Sequence, residues 1–458
     1  MPLVAGVDSS TQSTKVELRD LDSGILVASG RAAHPAAEPP RSEQDPRAWW
    51  DALVEAFAAT GDARADVVAA AVAGQQHGMV VLGADGQPLR DAKLWNDTES
   101  APEAAALVEG LAAEAWAEAC GSVPVASFTI TKLAWLARHE PEVVPAVARV
   151  LLPHDYLTHR LTGAFVTDRG DASGGGWFDR ATGAYRDDLL ARVGGRDDWA
   201  SLLPEVLGPS DVAGTVTSTA ATALGLPADI PVGPGTGDNM AAALGLGLAS
   251  GDVAMSLGTS GTIYAVSSTP TADSSGAVAG FCDAAGGYLP LVCTLNATKV
   301  TDTVASWLGV GRDGFAQLAL EAPSGANGVS LTPYFDGERT PNLPDATGTF
   351  EGLRNSTVPS DLARSAHEGV VRGLLHGLDA LSAAGASVGG RLHLIGGGAK
   401  SPAYRAVVAD LHGASIVVPS DDETVATGAC VQAARVHSGP AATENWKLGA
   451  GEEIRPGS

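Results

Sequence analysis

The sequence has little that would tie it to a membrane, a nucleic acid or a redox-active metal. Its 458 residues hold four cysteines, Cys120, Cys282, Cys293 and Cys430, scattered without metal-ligand spacing, so buried free thiols in a reducing compartment are expected. The ten histidines form no HxxxH pair and no His-Cys cluster, which leaves no signature for a transition metal. Against 53 Asp and Glu stand only 29 Lys and Arg, a formal charge of −24 with no long basic run. Nucleic acid and anionic membrane are therefore disfavoured partners. No apolar run reaches membrane-spanning length, and the start, MPLVAGVDSS, lacks a basic segment followed by an apolar stretch. A cytoplasmic location is expected. A Walker A loop is also missing.

The apolar content of 45% suffices for two domains of about 200 residues each, the usual division for this length. The chain is organised around Pro231 to Gly245, PVGPGTGDNMAAALG. An apolar lead-in, a Gly-Thr-Gly turn and then Asp238 and Asn239 before an Ala-rich run read as a strand passing into a buried helix. An Asp there would ordinarily cap the helix. Gly233, Gly235 and Gly237 on alternate positions, however, read as bare backbone around one carboxylate, and Asp238 is the candidate general base of a phosphoryl transfer.

Residues 3 to 19 read as a strand, a hydroxyl-rich turn (Ser9-Ser10-Thr11-Gln12-Ser13-Thr14) and a second strand, with the ingredients of an anion-binding nest. A plain polar hairpin would look alike. Residues 254 to 266, AMSLGTSGTIYAV, repeat the organisation, and a shift of 248 lays Thr259 on Thr11 and Thr262 on Thr14. A duplicated architecture with one phosphate loop in each half follows. Asp8 ends the first strand where Ser256 stands in the second copy; a carboxylate beside a phosphate loop needs a cation between them, which makes Asp8 a candidate to position Mg²⁺, through water, or else a turn-capping Asp.

The strand at 67–73 runs into Gly74-Gln75-Gln76-His77-Gly78, where Gln76 and His77 are placed to bind hydroxyls. Trp95, Asn96 and Asp97 end another short apolar stretch; Trp95 would stack on a sugar face and Asp97 accept from hydroxyls, unless Trp95 is simply buried ahead of a turn. Near the other end, a strand at 392–395 enters Gly396-Gly397-Gly398-Ala399-Lys400-Ser401 before a helix. Adenine and ribose against that turn, or a tight strand-helix connection, would both read this way.

With these pieces in place the chain resembles the FGGY carbohydrate kinases over nearly its whole length, and within them the branch that acts on xylulose. Ser127 to His139, SFTITKLAWLARH, fits the family's first signature, and Gly348 to Glu368 fits the second except at His367. GQQHG at 74–78, WND at 95–97, GDN at 237–239, SLGTSG, GERTP at 337–341 and LIGGGAKS also match. The departures are Ser10 where the first phosphate loop usually has glycine, Gln76 where Met is common, and no Arg shortly after WND. The resemblance implies an α/β fold of two ribonuclease H-like, actin/hexokinase-type domains, about 1–240 for the sugar and first phosphate loop and 241–458 for the nucleotide, with the catalytic cleft between. It implies ATP and Mg²⁺, a D-xylulose acceptor held by Gln76, His77, Trp95, Asp97, Asp238 and Asn239, and a nucleotide site at Thr11, Gly258, Thr259, Gly397, Gly398, Ala399 and Ser401. Ribulose is the rival acceptor. Glycerol is less favoured, because glycerol kinases carry Arg-Glu where this chain has Gln76-His77, and a non-catalytic sugar sensor would be expected to lose Asp238. A homodimer is an expectation from the resemblance alone.

Overall fold

In the computed structural model, which describes residues 1–457, two mixed sheets of seven strands carry the molecule. The first runs in the order Gly214–Thr215, Pro231–Val232, Val67–Gly74, Leu3–Ser9, Ser13–Asp20, Leu26–Ala33, with Thr236–Gly237 also pairing Val67–Gly74. Leu3–Ser9, Ser13–Asp20 and Leu26–Ala33 form an antiparallel meander, whereas Val67–Gly74 lies parallel to Leu3–Ser9. The second sheet repeats this plan. Val253–Leu257, Gly261–Ala265 and Tyr288–Thr294 are its meander, and Leu392–Ile395 and Ile416–Pro419 its parallel strands. Leu3–Ser9 is buried at every position, as a central strand covered on both faces must be.

The expected duplication is therefore present, with one correction of register. In the first hairpin Asp8 faces Lys15; in the second Ser256 faces Thr262. The second turn is one residue shorter, so Thr262 corresponds to Lys15 and not to Thr14. A constant shift along the sequence cannot follow a deletion inside a turn.

Helices fill the remaining layers. Pro46–Ala59 starts at the Asp45 cap with Pro46 at its first position, and buries Trp49, Trp50, Leu53 and Phe57. Pro359–Ala383 buries a continuous face, including His367, whose ring packs between Phe315 and Tyr404 at centroid distances of 5.3 and 4.6 Å. Helix Pro153–Thr162 begins where Pro153 suits a helix's first turn and Asp155 accepts from the Leu152 amide.

Two helices tie the halves together. Thr424–Ser438 packs on Leu3–Ser9 and Val67–Gly74 of the first sheet, and against Asp238–Gly245. One apolar cluster joins Val4, Ala69, Ala71 and Ala73 to Ala241, Ala243, Ala254, Tyr264, Ala429 and Cys430. The expected division at residues 240 and 241 falls inside helix Asp238–Gly245. The stretch after helix Thr424–Ser438 is packed into the fold: Trp446 is buried and donates its indole N–H to the Leu21 carbonyl, and Gly451–Ile454 closes the edge of the second sheet. Among the described residues no helix is long and apolar enough to cross a membrane.

Candidate active site

In open α/β sheets, ligands sit outside the carboxyl ends of parallel strands. Here Leu3–Ser9, Val67–Gly74 and Thr236–Gly237 run parallel and end together, Ser9 beside Gly74 and Gly74 beside Gly237. Those ends deliver Asp8, then Gln75-Gln76-His77, then Asp238 and Asn239.

Asp238 is the first residue of its helix, one place beyond the capping position, and it accepts from its neighbour: Oδ1 takes the Asn239 amide at 2.8 Å and Asn239 Nδ2 at 2.9 Å. Asn239 Nδ2 also reaches Gln76 Oε1 at 2.7 Å. Burial, and then the nearby Asp171 charge, push Asp238 up to about 7, the range in which a carboxylate works as a base at neutral pH. Asp8 is likewise raised to about 7 by burial, with Lys15 opposing and the Asp238 charge adding to the rise.

His77 holds a positive φ of 63°. Its ring lies between Phe128 and Phe281 at centroid distances of 5.3 and 5.1 Å, so a residue of the second sheet helps fix a side chain delivered by the first. Nδ1 is 3.3 Å from Asp171 Oδ1. Burial holds the His77 imidazole well below its usual pKa, hence neutral.

The alternate glycines before Asp238 have a different reason from the one their spacing suggests. A β-carbon at Gly233 would lie 2.9 Å from Gln432 Oε1, at Gly235 2.6 Å from His154 Nδ1, and at Gly237 2.6 Å from Gln76 Cγ. Side chains press on this backbone from three sides. Gln432 pairs with Gly235 as a strand would, accepting its amide at 2.9 Å and donating to its carbonyl at 3.0 Å.

Three residues expected at the sugar or phosphate have partners inside the protein. Asp97 is 0% exposed, and its carboxylate accepts from Lys93 Nζ at 3.1 Å and from the amides of Ser42 and Glu99. Lys93, also 0% exposed, gathers Glu43 and Glu99 as well, so this carboxylate cluster already surrounds a cation. Asp97 therefore corrects to a buried ion-pair role. Trp95 donates its indole N–H to Thr11 Oγ1 at 3.0 Å, and Thr11 donates to Gln75 Oε1 at 3.1 Å. The Thr11 hydroxyl proton is thus spent inside the protein.

On the nucleotide side, the parallel strands Val253–Leu257 and Leu392–Ile395 deliver the Gly258-Thr259 turn and Gly396-Gly397. Thr259 and Gly397 are exposed. A cavity of about 290 Å³ is lined by Lys15, Gly396, Gly397, Ala399, Lys400 and Glu423, among others. Gly398 is buried instead, where a β-carbon would come to 2.7 Å of Leu257 Cβ, and Ser401 caps helix Pro402–His412. Both serve the turn's own packing.

Lys15 joins the two sides. Its Nζ lies 3.8 Å from Asp8 Oδ2 and 2.5 Å from Glu423 Oε2, and it lines the cavity. Sequence reading passed over it, although its place opposite Asp8 in a hairpin was the available signal. Asp8 Oδ1 is buried with no hydrogen-bond partner. A hard carboxylate oxygen left open beside a cavity fits Mg²⁺, directly or through water.

The sequence model of the FGGY family of carbohydrate kinases, N-terminal domain, matches residues 3–245, and that of the C-terminal domain matches residues 253–437. The chain is 50% identical to a xylulose kinase of Streptomyces coelicolor, over 98% of this chain and 92% of that one. To the xylulose kinase of Escherichia coli it is 37% identical over 89% and 84% of the two chains. The crystal structure of xylulose kinase from Bifidobacterium adolescentis superposes with a TM-score of 0.90 at 44% identity, covering 100% of this chain and 97% of that one.

Proposed function

The chain belongs to the FGGY family of carbohydrate kinases, and from that premise we propose that it transfers the γ-phosphoryl group of ATP to D-xylulose, with Asp238 as general base. The observation that carries this reading is a continuous line of groups. Gln76, His77 and Asn239 lead to Asp238, Asp238 is close enough to Asp8 to raise its pKa, and Lys15 leads from Asp8 into the glycine-lined cavity.

Gln76 and His77 hold sugar hydroxyls, and Asn239 orients both Gln76 and the Asp238 carboxylate. The terminal hydroxyl oxygen attacks the γ-phosphorus, the bond from γ-phosphorus to the β,γ-bridging oxygen breaks, and the hydroxyl proton passes to Asp238; xylulose 5-phosphate and ADP result. Because phosphoryl transfer is loose, placement and charge neutralisation carry more of the barrier than proton removal does. Lys15 supplies positive charge next to Asp8 at the cavity wall. Mg²⁺, held through Asp8, would neutralise the phosphate oxygens. The domains, taken as about 1–240 and 241–458, close over the sugar through the paired helices Asp238–Gly245 and Thr424–Ser438 and exclude water.

An ADP-release assay at fixed MgATP with D-xylulose, D-ribulose, L-ribulose, glycerol and no sugar tests the reading. Turnover with D-xylulose that vanishes in Asp238→Ala supports it. Preference for another acceptor, or equal ADP release without sugar, overturns the substrate assignment.

A further inference from the structure

Beneath the sugar-facing residues lies a buried set of groups that the reaction above does not use. Helix Arg169–Ala172 carries Asp171, which is 0% exposed, into the space behind His77. One carboxylate oxygen lies 3.3 Å from His77 Nδ1 and the other 3.6 Å from Nε2 of the equally buried His154. The helix is held by Asp168, which accepts the amides of Gly170 and Asp171 at 2.8 and 2.9 Å and the Thr236 hydroxyl at 2.7 Å. Thr236 is two places before Asp238, so one support serves both the base and the residue behind His77.

The His77 ring has no freedom to turn away. Phe128 and Phe281 flank it, the Thr129 hydroxyl donates to its carbonyl at 3.1 Å, and a β-carbon on Gly174 would come within 1.9 Å of Cε1. A neutral imidazole carries its proton on one nitrogen, and the partner of that nitrogen decides which. We propose that Asp171 is a positioning residue that keeps the proton of His77 on Nδ1, so that Nε2 faces the sugar as a hydrogen-bond acceptor. His77 then takes a hydroxyl proton from the sugar, complementary to Gln76, whose Oε1 is already occupied by Asn239 and whose Nε2 is buried without a partner.

This rests on the sugar-kinase reading for its consequence, but its test need not. In ¹⁵N-histidine-labelled protein without sugar, the His77 resonances, assigned by their absence in His77→Gln, report the tautomer directly. The expected result is a protonated Nδ1 in the wild type and a shift of the proton to Nε2 in Asp171→Asn, whose amide can offer N–H to Nδ1. The sugar KM should then rise at least ~10-fold in Asp171→Asn with kcat changed much less, the size expected for one lost hydrogen bond to a polar ligand group. An Nε2-protonated His77 in the wild type overturns the proposal, and that measurement stands even if Asp171→Asn does not fold. An unchanged tautomer or an unchanged KM in a folded Asp171→Asn overturns it too. Absence of turnover with every sugar would instead bear on the kinase reading and leave the tautomer result intact.

Discussion

Asn239 and Gln76, 163 positions apart in the chain, meet at 2.7 Å, the Asn239 amide donating to the Gln76 carbonyl oxygen. The same nitrogen donates to Asp238, so the candidate base and a candidate sugar ligand are set by one side chain. Asn239→Ala should therefore raise the sugar KM and lower kcat together, by at least ~10-fold in kcat/KM, whereas Asn239→Asp should be worse, because it replaces a donor by a third carboxyl beside Asp238 and Asp171. Steady-state kinetics of the two variants, with thermal melts to confirm folding, check this.

Asp238→Asn should lower kcat by at least ~10²-fold, the scale of a general base. It should also make the protein more stable at pH 8 to 9. The folded-state pKa of Asp238 is raised from 3.8 to about 7, so folding favours its protonated form: that contribution is full below 3.8 and lost as pH rises through about 7. Asn bears no such cost. Melting temperatures of variant and wild type should separate as pH rises from about 4 to about 7, stay apart above that, and draw together below pH 4.

The same value sets the acid side of the rate profile. With Asp238 required as carboxylate, kcat/KM for the sugar should fall as pH drops below about 7, with slope one on logarithmic axes. A profile flat down to pH 5 would exclude a base with this pKa.

Lys93→Met separates the two readings of Asp97. Removing the buried ammonium leaves Glu43, Asp97 and Glu99 facing one another and should cost about 3–5 kcal/mol of stability, measured by urea unfolding. For the fraction that remains folded, the sugar KM should change little. A large KM effect in a stable variant would return Asp97 to the sugar.

Chelation of Mg²⁺ by EDTA should abolish turnover, and Asp8→Asn should raise the Mg²⁺ concentration needed for half-maximal rate. Titration of the rate with Mg²⁺ at saturating ATP and sugar measures it.

Much of this arrangement was legible in the residues. Strands Leu392–Ile395 and Val67–Gly74 and helix Asp238–Gly245 lie within a residue or two of where their apolar runs, Pro and Gly place them, because their signals are local. What escaped depends on distant partners. Nothing near Asp97 says that Lys93 will turn its ammonium onto it inside the protein, and nothing near Gly235 says that His154 will press on it. Trp95 and Thr11, 84 positions apart, satisfy one another, which composition at either site could not reveal. The Gly-Thr-Gly turn drew attention to the right carboxylate, although the glycines answer to packing.

Helix Thr424–Ser438 has a further consequence, for the order in which the chain is made. It is made well after the strands it covers, since Val4, Ala69, Ala71 and Ala73 lie on strands completed by residue 74. Gly428 fits so closely on Asp238–Gly245 that a β-carbon would reach 1.8 Å from the Ala241 carbonyl oxygen, so bulkier residues cannot take its place. Throughout synthesis of the intervening residues the first sheet therefore has an apolar face with no lid of its own. Truncations that stop before residue 424 should therefore aggregate although they retain every strand of the first sheet.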